Sequence, residues 1–184
     1  MINGLRKILN VLEPFNTAML AVGRSIAWVL VLLMVFTILL QVFCRYVLND
    51  ALPWPEEVAR ALMIWMMGLV AASGYRWGAF VSIDMISDAL PRFLRQALKL
   101  FLLALACAVL IELSVLAIEF FQRGFRTRAA SFHLQRAWIY LAMPVCFISM
   151  LMINIELLLR EIGRTIGNEE QFPEPAKPSL KAAD

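Results

Sequence analysis

Apolar positions dominate four long stretches of the chain, and polar positions mark the breaks between them. Residues 25–44, 61–75, 100–121 and 137–159 are almost free of charged side chains. A helix rises about 1.5 Å per residue, so roughly 20 apolar residues cross the hydrocarbon core of a bilayer. The pattern predicts an all-α integral membrane protein with four transmembrane helices. Their expected bounds are about 24–46, 56–77, 90–121 and 135–166.

The two ends of the chain have different patterns. In residues 1–23, apolar side chains recur at helical spacing with charged and amide side chains between them. This predicts an interfacial amphipathic helix, bent or ended near Pro14, although a frayed basic tail is the alternative. Residues 167–184 contain several prolines and no apolar period, which predicts a disordered tail. The four-helix transmembrane domain is therefore expected over residues 24–166.

Composition agrees with a membrane protein and argues against several functions. Hydrophobic residues make up 61% of the chain and charged residues 17%, against about 45–50% and about 25% in soluble domains. Three scattered cysteines and a single histidine give no metal, haem or disulfide pattern, so no cofactor is expected. The small net charge of +3 concerns topology and lipid headgroups, and nucleic acid is not expected as a partner. No catalytic constellation is recognisable, so an enzyme is not expected.

The break between the first two helices carries a compact set of charges. Two prolines flank Trp54, and Glu56 and Glu57 follow, where the dipole of a new helix favours negative charge. Arg60 comes one turn after Glu56, and Arg45 ends the preceding helix. We expect these four charges to form one cluster that stabilises the corner. A solvated helix start with snorkelling arginines is the alternative.

Three features inside the helices indicate local function. Gly68 and Ala72 are four residues apart in helix two, a spacing that lets another helix approach closely. Glu112 lies within the third apolar stretch, where an ionisable side chain needs a partner. It is interpreted as a subunit or helix contact, with proton or ion transport as the alternative. Pro144 predicts a kink in helix four.

The segment between helices three and four is the most basic part of the chain. Arg123, Arg126 and Arg128 lie there, and residues 122–136 contain no acidic side chain. With both termini in the cytoplasm, eleven lysines and arginines fall inside and six outside, which the positive-inside rule favours. The loop arginines then face the outer side. There they contact either an acidic receptor surface or lipid headgroups.

Several short motifs also follow one another in a defined order. They are Arg45, the Pro-Trp-x-Glu-Glu sequence from Pro53, then Arg60 and Trp65, a Gly- and Ala-rich helix, the turn with Arg76, Gly78, Ile83 and Asp84, then Trp138-x-Tyr140-x-x-x-Pro144 and Asn154-x-Glu156. In order and spacing they resemble the small, DctQ-like membrane subunit of tripartite ATP-independent periplasmic (TRAP) transporters. The resemblance covers about residues 20–160. Gln135 and Arg136 depart from it, because a proline is expected just before Trp138.

The resemblance implies an accessory subunit of a sodium-coupled system for organic acid uptake in the bacterial inner membrane. In such systems a periplasmic solute receptor delivers substrate to a large polytopic membrane subunit that works by an elevator motion. The small subunit packs against the fixed scaffold of the large one, stabilises it, and contributes to docking of the receptor. Two alternatives stay open from the residues: a membrane anchor of a redox enzyme, and a small self-sufficient dimeric transporter in which Glu112 couples to protons.

Overall fold

Five helices make up the part of the chain that the structure describes. The structure is a computed structural model and describes residues 2–49, 52–77, 92–126 and 136–166. The helices are α1 Ile2–Tyr46, α2 Trp54–Arg76, α3 Arg92–Gly124, α4 Ala137–Tyr140 and α5 Ala142–Ile166. Four units are long and apolar enough to cross a membrane: Leu9–Tyr46, Trp54–Arg76, Leu94–Gly124 and Ala137–Thr165. The prediction of an all-α protein with four transmembrane helices is confirmed. The predicted disordered tail and the turn around Asp84 lie outside the described residues.

The first helix differs from the expected arrangement. Residues 2–46 form one helix of 45 residues with Pro14 inside it, so no break separates the amphipathic segment from the first membrane span. At about 1.5 Å per residue this helix is about 68 Å long, more than twice the hydrocarbon core. A proline costs a helix one hydrogen bond. Here Glu13 and Asn16, on either side of Pro14, both contact α5, so the helix is held by tertiary contacts on both sides of the proline.

The corner between α1 and α2 follows the local sequence. Asn49 has a φ of 52°, a left-handed conformation that asparagine tolerates better than most residues. Pro53 immediately precedes α2, and Pro55, Glu56 and Glu57 lie in its first turn. Proline suits this position because its missing N–H has no partner there in any helix. The break was therefore predictable from residue type alone.

The last membrane span has a local irregularity one turn before Pro144. α4 ends at Tyr140, Leu141 forms a turn, and α5 begins at Ala142. The proline ring clashes with the carbonyl four residues earlier, which belongs to Tyr140, and it offers no N–H to that carbonyl. Leu141 keeps helical dihedrals of φ −57° and ψ −27°, so the span continues through the irregularity.

The helices form an open arrangement around α5. Helix α1 packs against α2 and α5, whereas α3 packs against α5 and α4. Leu20 from α1, Ala72 from α2 and Ile153 from α5 meet in the small buried core. Because α5 contacts every other described helix, it is the central helix of this packing arrangement.

Helices α1, α3 and α5 contact their neighbours through residues that alternate four and three apart. These are Asn16, Leu20, Gly23, Ala27, Leu30, Met34, Thr37, Gln41 and Cys44 in α1; Leu103, Cys107, Leu110, Ser114, Ala117, Phe121 and Gly124 in α3; and Ala142, Cys146, Ser149, Ile153, Glu156, Arg160 and Gly163 in α5. All of them are buried or half-buried. A repeat of 3.5 residues is the spacing of coiled-coil packing. We call these three rows the packing seams.

Glycines allow the closest approaches between the helices. A Cβ at Gly68 in α2 would lie 3.0 Å from the carbonyl oxygen of Ala142 in α5. A Cβ at Gly124 in α3 would lie 2.7 Å from Cα of Ala137 in α4. At Gly23 the nearest atom would be the Leu69 carbonyl oxygen at 3.5 Å, an ordinary contact. The small face of α2 thus receives α5 of the same chain.

Candidate functional site

Glu156 is the centre of a polar network that joins three helices. Its side chain is fully buried. Oε1 accepts hydrogen bonds from Arg76 Nη2 and Arg160 Nη2, each at 3.0 Å. Oε2 accepts one from the Asn16 side-chain amide at 2.7 Å. Since Asn16 lies in α1, Arg76 in α2, and Arg160 in α5 with Glu156, a single carboxylate connects all three helices.

Two further contacts extend this network along α1. Arg160 Nη2 lies 2.9 Å from Glu13 Oε1, and Arg76 Nη1 donates to the Thr17 hydroxyl at 2.8 Å. The side chains of Arg76 and Arg160 are each 7% exposed. Two carboxylates therefore face two guanidinium groups, and the network has no net charge. Buried charges are tolerated only when they are paired in this way. We call these six residues, Glu13, Asn16, Thr17, Arg76, Glu156 and Arg160, the Glu156 network.

Asn154 connects the fourth membrane span to the same region. Its Oδ1 accepts a hydrogen bond from the Tyr75 hydroxyl at 2.6 Å, and its Nδ2 donates to the backbone carbonyl of Leu103 at 3.1 Å. Tyr75 belongs to α2 and Leu103 to α3. Together, Asn154 and Glu156 attach α5 to each of the other three long helices.

The geometry of the network suits a structural role. Its charged groups bind one another across helix boundaries, at distances typical of charge-assisted hydrogen bonds. In the described ranges no group of three or more His, Cys, Asp and Glu residues could hold a metal ion. The groove between α1, α2 and α5 is lined mainly by apolar side chains, among them Leu20, Leu69 and Val145. Such a groove offers few groups that bind a polar substrate.

The charges predicted to cluster between α1 and α2 are partly together. Glu56 and Arg60 form an ion pair at 2.9 Å, with both side chains more than two-thirds exposed. The Arg45 guanidinium lies 6.0 Å from the ring centroid of Tyr46, its own neighbour. Trp54 and Glu57 are half-buried in the first turn of α2. The structure thus contains the Glu56–Arg60 pair, while the full cluster stays a prediction.

The remaining predicted residues lie on or near α3. Glu112 is exposed in the middle of this helix. Arg123 pairs with Glu119 at 3.6 Å, one turn away on the same helix. Arg126 is exposed in the turn after α3. Arg128 lies outside the described residues, so the structure tests the basic loop only at its beginning.

Several network residues were not predicted from the sequence. Glu13 was assigned to the polar side of a surface helix and Asn16 was given no role, whereas both contact α5. A signal for them was present, because Asn16 starts the same four-three repeat that continues through Gly23 and Thr37. Polar residues in such a row indicate contact with another helix.

Some of the described residues that carry the family resemblance meet at helix contacts. Arg76 binds Glu156, and Trp65 donates its indole N–H to the backbone carbonyl of Trp138 at 3.2 Å. Trp65 belongs to α2 and Trp138 to α4, so this bond joins the second and last membrane spans. These motif residues therefore take part in contacts that hold the helices together.

Comparison with known proteins addresses the same resemblance. Residues 34–164 match the family described as tripartite ATP-independent periplasmic transporters, DctQ component. The chain is also 29% identical over 171 residues to the sialic acid TRAP transporter small permease protein SiaQ of Vibrio cholerae serotype O1, covering 89% of this chain and 88% of that protein. These matches decide against the anchor of a redox enzyme. The chain belongs to the DctQ family: it is a small permease subunit of a TRAP transporter, a multi-pass membrane protein and not an enzyme.

Proposed function

We propose that this chain is the accessory membrane subunit of a sodium-coupled TRAP transporter for organic acid uptake. In this role it packs against the scaffold of the large polytopic membrane subunit and stabilises it. Family membership supports the assignment. The relative from Vibrio cholerae is named for sialic acid, which is itself an organic acid, and this agrees with the proposed substrate class.

The observation that carries the proposal is that the buried charged groups of this chain bind one another. The buried charges in the described part of the chain are paired. Glu156 pairs with Arg76 of α2 and with Arg160 one turn along α5, Arg160 also pairs with Glu13 of α1, and Glu161 pairs with Arg164. A transporter core instead uses discontinuous helices whose free ends face substrate and coupling ions near the bilayer midplane. The described spans are continuous apart from the turn at Leu141, which keeps helical dihedrals. These continuous spans favour the role of an accessory subunit over that of a subunit that carries substrate.

The proposal includes an orientation in the bacterial inner membrane. Both termini are cytoplasmic, in agreement with the distribution of lysine and arginine. The Glu156 network then lies toward the cytoplasmic side, and the turn after α3 faces the periplasm. Arg123, Arg126 and Arg128 would there contact either the acidic surface of the periplasmic solute receptor or lipid headgroups.

The central experiment is reconstitution with the large TRAP membrane subunit of the same organism. The two chains are co-expressed and purified through a tag on the large subunit, and uptake of organic acids into liposomes is measured with the receptor present. We expect a one-to-one complex whose uptake requires a sodium gradient. This chain alone should give no uptake. Uptake by this chain alone would instead support a self-sufficient transporter.

The two roles of the basic loop are separated by salt. Neutralising Arg123, Arg126 and Arg128 to glutamine should slow receptor-dependent uptake at low ionic strength if the loop attracts the receptor, since such attraction is screened by salt. Unchanged uptake, with an unchanged dependence on salt, would assign the arginines to lipid headgroups. Arg60, an exposed arginine in the first turns of α2, provides the neutralisation control.

A further inference from the structure

Glu112 lies near the middle of the membrane span formed by α3. The apolar run extends over residues 100–121. At about 1.5 Å per residue, Glu112 is about 18 Å from one end of this run and about 14 Å from the other. Both distances place its backbone close to the bilayer midplane. The flanking residues Ile111 and Leu113 are apolar, so the sequence provides no charged neighbour there.

The structure places Glu112 on the side of α3 that faces away from the rest of the chain. The seam of α3 meets α5 through Leu110, Ser114 and Ala117, all buried. Glu112 is exposed together with Leu105, Val109 and Leu116, which are 51%, 50% and 59% exposed. Among the described residues, Glu112 has no hydrogen bond or ion pair. Its carboxyl group therefore points out of this subunit at mid-membrane depth.

Two comparisons within the chain show how unusual this placement is. Glu119, on the same helix, lies near its end and pairs with Arg123. The exposed side of α1 between Ile26 and Phe43 carries no charged residue, as expected for a surface in contact with lipid. A charged side chain in hydrocarbon is costly and is retained where protein or water covers it. Glu112 places a charge on an otherwise apolar part of the α3 surface, and this charge distinguishes it from the exposed side of α1.

We propose that this surface of α3 binds a membrane helix of the large TRAP subunit that presents a basic or amide side chain to Glu112. The inference rests on the proposed function and adds a surface and a partner group to it. Complementary charge selects a hydrogen-bond donor as the group opposite a carboxylate. Ala104 and Ala108 are exposed on the same side of α3, and small side chains let another helix approach closely.

The first test measures complex formation by charge-altered variants. Full-length chain and large subunit are co-expressed, and the one-to-one complex is quantified by gel filtration. We expect Glu112→Leu to reduce its yield at least about tenfold, because a buried donor on the large subunit loses its partner. Glu112→Gln should retain part of the yield, since its amide oxygen still accepts a hydrogen bond. Glu119→Gln, which alters a glutamate near the helix end, should leave the yield unchanged.

The second test keeps Glu112 intact, so it does not depend on how the variants fold. A photo-reactive amino acid is placed at Leu116 beside Glu112, and in a separate control at Leu32 on the exposed side of α1. Illumination of the purified complex should attach position 116 to the large subunit, and mass spectrometry should locate the product next to a basic or amide residue in a membrane helix. Position 32 should give no such product.

The outcomes separate the inference from the proposed function. If wild-type chain forms the complex while position 116 gives no product with the large subunit and Glu112→Leu binds normally, the inference is overturned and the proposed function stands. Attachment of position 116 to a second copy of this chain would also overturn it. If wild-type chain forms no complex at all, the proposed function fails, and the inference fails with it.

Discussion

At the scale of single residues, the spacing of Asn154 and Glu156 explains how α5 reaches three neighbours. Successive helical residues are about 100° apart, so two positions separated by one residue point about 200° apart, toward opposite sides. Asn154 therefore reaches Tyr75 in α2 and Leu103 in α3, while Glu156 reaches Asn16 in α1 and also contacts α2. The motif Asn154-x-Glu156 was visible in the sequence. The partners of Glu156 in the other helices could not be recognised in the sequence, because Asn16 and Arg76 lie 140 and 80 positions away from it in the chain.

Replacing Glu156 by glutamine should destabilise the protein strongly. The amide keeps the shape of the side chain but leaves Arg76 as a buried cation that has lost its ion pair with Glu156, and Arg160 with the partly exposed Glu13 in place of two carboxylates. Removing one partner of a buried ion pair costs about 3–5 kcal/mol. The free energy of unfolding is measured by denaturant titration in detergent micelles.

The matched control is Glu56→Gln, which breaks the Glu56–Arg60 pair. Both of those side chains are largely exposed, so the expected loss is only about 0–1 kcal/mol. Equal losses for Glu156→Gln and Glu56→Gln would show that the Glu156 network contributes no more to stability than a surface pair.

At the scale of helices, the packing seams explain which side of each helix was predictable. In a soluble helix, apolar residues mark the buried side. In residues 25–44 nearly every residue is apolar, so hydrophobicity cannot distinguish the side that meets protein from the side that meets lipid. Small and weakly polar residues make the distinction instead, because they allow close packing and interhelical hydrogen bonds. All three cysteines lie in the packing seams, which explains their positions without a metal or a disulfide.

The same reasoning explains the limits of the sequence prediction for α1. Its membrane span and its end near Tyr46 follow from hydrophobic length and the Asn49 turn. The continuity across Pro14 does not, because it depends on contacts of Glu13 and Asn16 with α5. Proline was interpreted from its intrinsic effect on a helix alone, whereas the residues beside Pro14 also contact α5.

Alanine substitutions at three glycines should change stability in a defined order. Alanine stabilises a helix by about 0.5–1 kcal/mol relative to glycine when space is available. Gly23→Ala meets its nearest neighbour at 3.5 Å and should be neutral or slightly stabilising. In Gly68→Ala the new Cβ would lie 3.0 Å from a backbone oxygen, and this close contact should cancel the gain in stability. Gly124→Ala approaches the α4 backbone to 2.7 Å and should be the most destabilising.

Thermal unfolding of the three variants in the same detergent checks this order. Gly23 and Gly68 both lie inside helices, so the change in helix propensity is similar there and the difference reports the space around each glycine. Gly124 is the last residue of α3, where glycine is itself favoured, so loss of propensity adds to the close contact. A Gly124→Ala protein as stable as Gly23→Ala would mean that α3 and α4 are not held at the separation described.

At the scale of the whole molecule, the subunit is an open layer with apolar surface on much of its exterior. Helix α3 contacts the rest mainly through α5 and α4, and most of its side chains in the membrane are exposed. Exposed aliphatic surface is expected of any membrane protein, so composition alone predicted the class but not the arrangement. The order in which helices pack depends on the seams and on the Glu156 network.

The proposed orientation, with both termini in the cytoplasm, predicts which positions reagents reach from outside the cell. A cysteine introduced at Arg126 should react with a membrane-impermeant maleimide in intact spheroplasts, and one introduced at Lys7 only after the membrane is permeabilised. The native Cys44, Cys107 and Cys146 are buried or half-buried within the membrane spans, so the unmodified chain serves as the unlabelled control. The reverse labelling pattern would place both termini in the periplasm.

The distribution of the Glu156 network along the chain has a consequence for biosynthesis. Asn16 and Arg76 leave the ribosome well before Glu156 and Arg160 do. Until the last span arrives, Arg76 has no carboxylate from α5 to pair with, and it favours the aqueous boundary. The hydrogen bonds that connect α1 and α2 to α5 therefore form only after α5 has been synthesised. A nascent chain interrupted before residue 156 therefore lacks the carboxylate that connects α1 and α2 to α5.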